Sequence, residues 1–244
     1  MGGYGSRQRA LAAVEQDGRA LEHLSNNHKN DCDIVLVAVQ LDGGALQFAG
    51  ERCKSDHTVV KAAVQQWGLA LQYAAEECRA DREIVLAAVQ RDGCALEYAS
   101  ESCKRDHDVV LAAVQRDWLA LQYAAEDCQR DHAIVLAAVA QDKDGYALRW
   151  AAEECTRDQQ IVLAAVKQNV RALDFAAEEL LLDSSFASAA RQRCYILKIC
   201  LLSGRYTYTI CKVGDRYTAQ NIMEWCCMKL ELQYRGTEVL VHGD

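Results

Sequence analysis

Three places in the chain set a cysteine four residues before a histidine: Cys53 and His57, Cys103 and His107, Cys128 and His132. Thiolate and imidazole are ligands that zinc favours, and two neighbouring pairs, Cys103, His107, Cys128 and His132, would supply the four donors of a tetrahedral site. The same thiols are candidates for redox chemistry, because a thiolate is a nucleophile that oxidises reversibly. Asp56-His57, Asp106-His107 and Asp131-His132 put a carboxylate beside an imidazole, the components of general acid–base catalysis. What decides among these chemistries is the element that carries each residue.

Those elements are repeated. Cys53, Cys78, Cys103, Cys128 and Cys155 are separated by 25, 25, 25 and 27 residues, the spacing of a repeat rather than of a disulfide framework. The phrase Ile-Val-Leu-Ala-Ala-Val-Gln recurs at 34–40, 59–65, 84–90, 109–115, 134–140 and 161–167, with a degenerate first copy at 9–15, so there are seven copies. Each is followed by an Ala-Leu-x-aromatic-Ala phrase, as at 70–74, 95–99 and 120–124. Ile84, Val85, Ala88 and Val89 form one helical stripe, and Leu71, Ala74, Ala75 and Cys78, at i, i+3, i+4 and i+7, form a second. The third phrase position is Leu in most copies but Lys61 in one, which points it toward water.

Asp31, Asp56, Asp81, Asp106, Asp131 and Asp158 each stand three residues before the phrase, where a carboxylate caps free backbone N–H groups and offsets the helix dipole. Gly43, Gly93 and Gly145 lie between the two phrases and predict helix stops with positive φ. Lys143-Asp144, beside Gly145, is the insertion that lengthens one repeat. Each repeat is therefore expected to hold an Asp cap, a helix of about ten residues, a tight Gly loop and a second helix of similar length. Seven such two-helix units, stacked at about 8–10 Å per layer, make a mainly α, helical repeat array roughly 60–70 Å long.

On that frame the cysteines fall on a buried stripe while the histidines follow capped starts that face water. Arg82, Gln159 and Cys32 replace His in sister copies. The five periodic cysteines are accordingly read as small buried hydrophobes. No catalytic residue, metal or cofactor is expected; a thiol- or zinc-dependent protein is the alternative. Phe48, Tyr73, Tyr98, Tyr123, Trp150 and Phe175 share one repeat position and are read as core packing. Trp67 and Trp118 sit between the helices, where other copies carry Asp or Gly, and are candidate anchors for a protein partner.

The 244 residues are 51% apolar and 25% charged, with no proline, which fits a folded, loop-poor chain. The longest apolar runs fall far short of the roughly 20 residues that span a bilayer, and no secretory leader is visible, so a reducing, cytoplasmic setting is expected. Residues 1–183 carry 19 Lys/Arg against 30 Asp/Glu, whereas 184–244 carry 8 against 5. An acidic body disfavours nucleic acid. The start Met1-Gly2-Gly3-Tyr4-Gly5-Ser6 fits an N-myristoylation pattern on Gly2, which would make the chain a membrane-tethered adaptor; without it no membrane contact is expected.

The phrase that runs from Ile84 through Gln90-Arg91-Asp92-Gly93-Cys94-Ala95-Leu96-Glu97-Tyr98-Ala99-Ser100 resembles the repeat of domain-of-unknown-function family 4116, over about residues 9–183. The family's usual Leu near the end of the second helix appears here as Cys in five copies and as Leu180 in the last. The resemblance implies a helical repeat fold and no particular activity.

From Tyr195 the period changes to two. Leu197, Ile199 and Leu201, a turn at Ser203-Gly204, then Tyr206, Tyr208 and Ile210 predict a β-hairpin. Thr218 is placed to cap a helix carrying Ile222, Met223, Cys226 and Leu230, and Val239-Leu240-Val241 reads as a third strand. Hairpin, helix and strand are similar to the ubiquitin-like β-grasp family, on Leu201-Leu202-Ser203-Gly204, Thr218, Asn221-Ile222 and Val239 to Gly243. That family continues into a further short helix and strands and, in conjugated members, a diglycine end; none of these follows here, so the module is partial and no conjugation role is expected. Leu240 falls where the family carries part of its apolar recognition patch.

The expected organisation is a flexible N-terminus at 1–8, the seven-copy helical repeat domain at 9–183, a linker at 184–194 and the partial module at 195–244. The expected function is a non-enzymatic interaction scaffold or adaptor, built on variable exposed positions of the repeats, with an unidentified protein partner.

Overall fold

The computed structural model describes residues 2–181, Phe186, 195–200 and 207–212. The architecture is mainly helical, and its unit is the 25-residue repeat. The copy that begins at Arg82 shows the pattern: a ten-residue α-helix Arg82–Arg91, a 3-10 helix Gly93–Tyr98 and a single α-turn Glu101–Lys104. Sister copies place their long helices at Cys32–Leu41, His57–Gln66, His107–Arg116, His132–Gln141 and Gln159–Gln168.

All six expected Asp caps are made. Asp56, Asp81, Asp106, Asp131 and Asp158 each accept from the backbone N–H two and three residues on, at 2.8–3.1 Å, and Asp31 accepts from Asp33 N at 3.2 Å. A second set of caps opens the 3-10 helices: Asp17, Asp42, Asp92, Asp117 and Asn169 each accept from the N–H two residues on. Asp92 is a one-residue joint. Its extended backbone (φ −146°) ends one helix, its own N–H closing onto Ala88 O at 2.9 Å, while its side chain starts the next.

The expected second helix is not continuous. It divides at an extended Ala-Ala step: Ala74 has φ −73°, ψ 151° and Ala75 has φ −65°, ψ 160°. The amide freed at this break is satisfied by the preceding copy, Ala75 N donating to Lys54 O at 2.9 Å. The same bond recurs in every copy after the first, as Gly50 N to Lys29 O, Ser100 N to Arg79 O, Ala125 N to Lys104 O, Ala152 N to Gln129 O and Ala177 N to Thr156 O. The stripe survives the break, with Leu71, Ala74 and Cys78 all buried, because 3-10 winding eclipses i and i+3 and the extended step resets the phase.

The glycines expected to stop helices through positive φ do so only at Gly145, φ +83°. Gly18, Gly43, Gly68 and Gly93 serve another purpose: a Cβ on any of them would lie 2.4–2.5 Å from a carbonyl oxygen of the following long helix. The glycine is a site of backbone-to-backbone approach between copies. Residues expected to form a flexible start are instead helical, since the first helix spans Gly2–Gln16 and Arg7 is bound to both Asp31 and Asp33 at 2.6 Å.

The chain divides into two compact units. In the first, residues 1–141 with 150–152, successive long helices pack side by side in chain order and the 3-10 helices from Gly18 to Tyr123 form a second row. Its core is the pair of phrases, with Ile84, Val85, Ala88, Val89, Ala95 and Leu96 buried and their sisters likewise; full burial of each large side chain contributes about 1.5–3 kcal/mol. In the second unit, residues 142–149 with 153–244, the turn Glu153–Thr156 and the 3-10 helix Val170–Phe175 pack on helix Gln159–Gln168. Here buried Asp142 accepts from the amides of Asp144, Gly145 and Ala147, and so shapes the loop that holds the Lys143-Asp144 insertion.

Strands β1 (Tyr195–Cys200) and β2 (Thr207–Lys212) pair antiparallel, from Tyr195 opposite Lys212 to Cys200 opposite Thr207, as the alternation predicts. The expected helix from Thr218, the third strand and Leu240 lie outside the described residues, as does the expected linker at 184–194 apart from Phe186.

Candidate functional site

The starts of the long helices line up in the first unit, and in four copies a base near the start reaches the cap of the next copy. Arg7 meets Asp31 at 2.6 Å, Arg82 meets Asp106 at 2.9 Å and Asp108 at 2.6 Å, His57 meets Asp81 at 3.3 Å and His107 meets Asp131 at 3.4 Å. Asp31, Asp81, Asp106 and Asp131 therefore each cap their own helix and meet a base from the copy before. The Arg7 guanidinium holds the Asp31 carboxyl below its ordinary value. Burial pushes Asp106 and Asp131 up, but Asp106 is held down by Arg82 and the Val109 amide, and Asp131 by the amides of Ile134 and Ala133 with His107.

This geometry separates the residues that the Cys-x3-His spacing joined. His57 lies 3.9 Å from the sulfur of Cys78, twenty-one residues on, rather than turning back to Cys53. Cys103 and Cys128 direct their thiols at the carbonyls of Ala80 and Arg105, each at 3.5 Å. Among the described residues no group of three or more His, Cys, Asp or Glu is placed to hold a metal ion. The adjacent Asp-His pairs are likewise split, the Asp facing its own helix and the His facing the next cap.

The periodic cysteines are buried, as expected. Burial pushes the Cys78 thiol up to about 11 and the Cys53 thiol, with help from neighbouring Cys32, up to about 12. A thiol so shifted is almost wholly protonated near neutrality and a weak nucleophile.

The two tryptophans occupy different registers. Trp67 takes the place that Asp42, Asp92 and Asp117 hold elsewhere, and makes no side-chain cap. Its ring is 36% exposed, packs at 6.3 Å from the ring of Tyr73, and covers Gly44, 3.6 Å from where a Cβ would stand. Trp118 is half-buried at the register of Gly43, Gly68 and Gly93, and carries the Cβ that those positions exclude. The aromatic row is half-buried rather than core: Phe48, Tyr73, Tyr98, Tyr123, Trp150 and Phe175 all keep part of their surface in water. Gly2 is the first residue of the N-terminal helix.

The most regular exposed apolar feature is the third phrase position. Leu36, Leu86 and Leu111 are half-buried and Leu136 is 37% exposed, each on the outer side of its long helix. Lys61 holds that position in its copy and pairs with Glu83 at 3.2 Å. Leu36 and Lys61, with Gln40, Ala62 and Gln65, line a shallow groove of about 370 Å³. The presence of Lys at one copy marked this row as outward in the sequence; its continuity as leucine is what marks it as a surface.

No helix among the described residues is long and apolar enough to cross a membrane. Comparison with curated proteins and with solved structures finds no match. A profile of the family described as Domain of unknown function (DUF4116) matches residues 6–54, 31–79, 81–129 and 131–181. Each match spans two of the structural copies, and the first two overlap by one copy, so the physical unit is half the length of the family's. With its repeats, their caps and their packing all lying within residues 6–181, the chain belongs to the domain-of-unknown-function family DUF4116.

Proposed function

We propose that the chain is a non-enzymatic scaffold of the cytoplasm whose helical repeats bind a protein partner. The observation that carries this reading is the row Leu36, Leu86, Leu111 and Leu136, kept partly in water at a position where Lys61 shows that leucine is not required for folding. Apolar surface repeated at one register offers a partner an extended, periodic binding face. Trp67 and Trp118 add two indoles at positions whose sister copies hold Asp or Gly, so neither is demanded by the repeat. The acidic charge of the body argues against a nucleic-acid partner.

The sister copies supply the test. Leu86→Lys with Leu111→Lys, and separately Trp67→Asp with Trp118→Gly, each install residues that the repeat already accommodates. Capture from the protein's own cells is expected to lose a specific protein, by tenfold or more, with at least one pair, at unchanged circular dichroism. Equal capture by wild type and both variants would sink the reading.

The partial ubiquitin-like module belongs to the same proposal, with Leu240 as part of its recognition surface. The antiparallel pairing of Tyr195–Cys200 with Thr207–Lys212 supports it. Backbone chemical shifts of the full chain should then show a helix from Thr218 and a strand at Val239–Val241. A membrane-tethered form rests on acylation of Gly2, read directly from the intact mass of the cellular protein.

A further inference from the structure

We propose that Cys32 and Cys53 form a reversible disulfide, making one repeat a thiol modification site that a small-molecule disulfide oxidises. Their sulfurs are 2.8 Å apart and both thiols are free. A disulfide bond of about 2.05 Å lies less than an ångström of approach away.

The pair is peculiar to this copy. Every periodic cysteine sits twenty-one residues, or twenty-three across the insertion, after the first residue of its long helix. That first residue is His57, Arg82, His107 or His132 for the other periodic cysteines and Cys32 only here. Where His57, Arg82 and His107 each clasp the next cap, this copy places a second sulfur.

The two sulfurs differ in access, and that sets the order of the reaction. Cys53 is fully buried, whereas Cys32 is half-buried and lines a polar groove of about 320 Å³ with Asn27, Asn30, Asp31, Asp33 and Arg52. The Cys32 thiolate attacks one sulfur of the oxidant RSSR; the oxidant's S–S bond breaks, a Cys32–SR bond forms, and RS⁻ leaves and takes up a proton. Cys53 then gives its proton to solvent and its thiolate attacks the Cys32 sulfur, displacing the second RS⁻, which is protonated in turn. Two protein thiols are oxidised and one RSSR is reduced to two RSH. Burial raises the Cys53 thiol, so little of it is thiolate when the second step begins.

The bridge would tie the start of helix Cys32–Leu41 to the turn Glu51–Lys54, closing one whole repeat on itself. The test equilibrates the full chain in glutathione buffers of graded oxidised-to-reduced ratio, quenches with acid, alkylates, and maps peptides by mass spectrometry. The expected result is a Cys32–Cys53 cross-linked peptide in most molecules at the oxidising end, reversed at the reducing end, with Cys78, Cys103 and Cys128 alkylated throughout. Cys32→His, which installs the residue of the sister copies, should keep the helical signal and abolish the cross-link. Full alkylation of Cys32 and Cys53, a stable Cys32–glutathione adduct in the wild type, or a bridge from Cys53 to any other cysteine would each overturn the proposal.

Discussion

At the scale of single residues, the repeat is held by positions whose chemistry is simple and whose tolerance is small. Gly93 is the clearest, because a Cβ there would meet Ala113 O at 2.4 Å, backbone against backbone with no side chain to move aside. Gly93→Ala is expected to cost about 2 kcal/mol by forced separation of the two copies, measured as a lowered urea midpoint at unchanged slope. An alanine that stabilised the chain by reducing unfolded-state freedom, as it does where space allows, would show that the approach is not real. Gly43 and Gly93 were legible in the sequence as special, but for the wrong reason; positive φ holds at Gly145 alone among the three. Positive φ is a local property that flanking residues announce; the carbonyl that crowds Gly93 comes from a helix twenty residues away and leaves no mark beside the glycine.

At the scale of elements, long helices such as Arg82–Arg91 follow directly from Asp81 and the stripe of Ile84, Val85, Ala88 and Val89. The second half of the repeat was only partly legible. Leu71, Ala74 and Cys78 are buried as the spacing requires, but no proline, glycine or polar cap marks the break at Ala74-Ala75, which is stabilised by a hydrogen bond from another copy. The Cys-x3-His pairs mislead for the same reason: Cys53 and His57 are near in sequence but lie on opposite sides of a cap, and the neighbour His57 finds is Cys78. Native-state hydrogen exchange tests the arrangement. The amides of Ala75, Ser100 and Ala125, at chain breaks that would otherwise exchange quickly, are expected to be protected within about tenfold of the helix amides of Val85 and Val110. Rapid exchange at these three amides alone would remove the bond between copies.

At the scale of the whole molecule, the joins between copies add up. Asp31, Asp106 and Asp131 all titrate below the ordinary carboxylate value of 3.8, so each favours the folded state when ionised. Their contribution is complete above that value and is lost as pH falls through the lower, folded-state values. Thermal unfolding should therefore show no loss from these groups between pH 7 and 5 and a falling midpoint below pH 3.8. Arg82→Gln, which removes the guanidinium that donates to Asp106, should raise the folded-state value of that carboxyl and so shrink the acid loss at its join; a transition indifferent to acid down to pH 2 would contradict the arrangement.

The single backbone hydrogen bond between successive copies has a mechanical consequence. A chain pulled from its two ends loads these joins in series rather than in parallel, so no join is shielded by its neighbours. Copies of the first unit should then yield one at a time at low force, each releasing about 25 residues, or roughly 80–90 Å of slack. A structure assembled by repetition in this way is also an extensible one, able to lengthen stepwise and recover copy by copy when the tension ends.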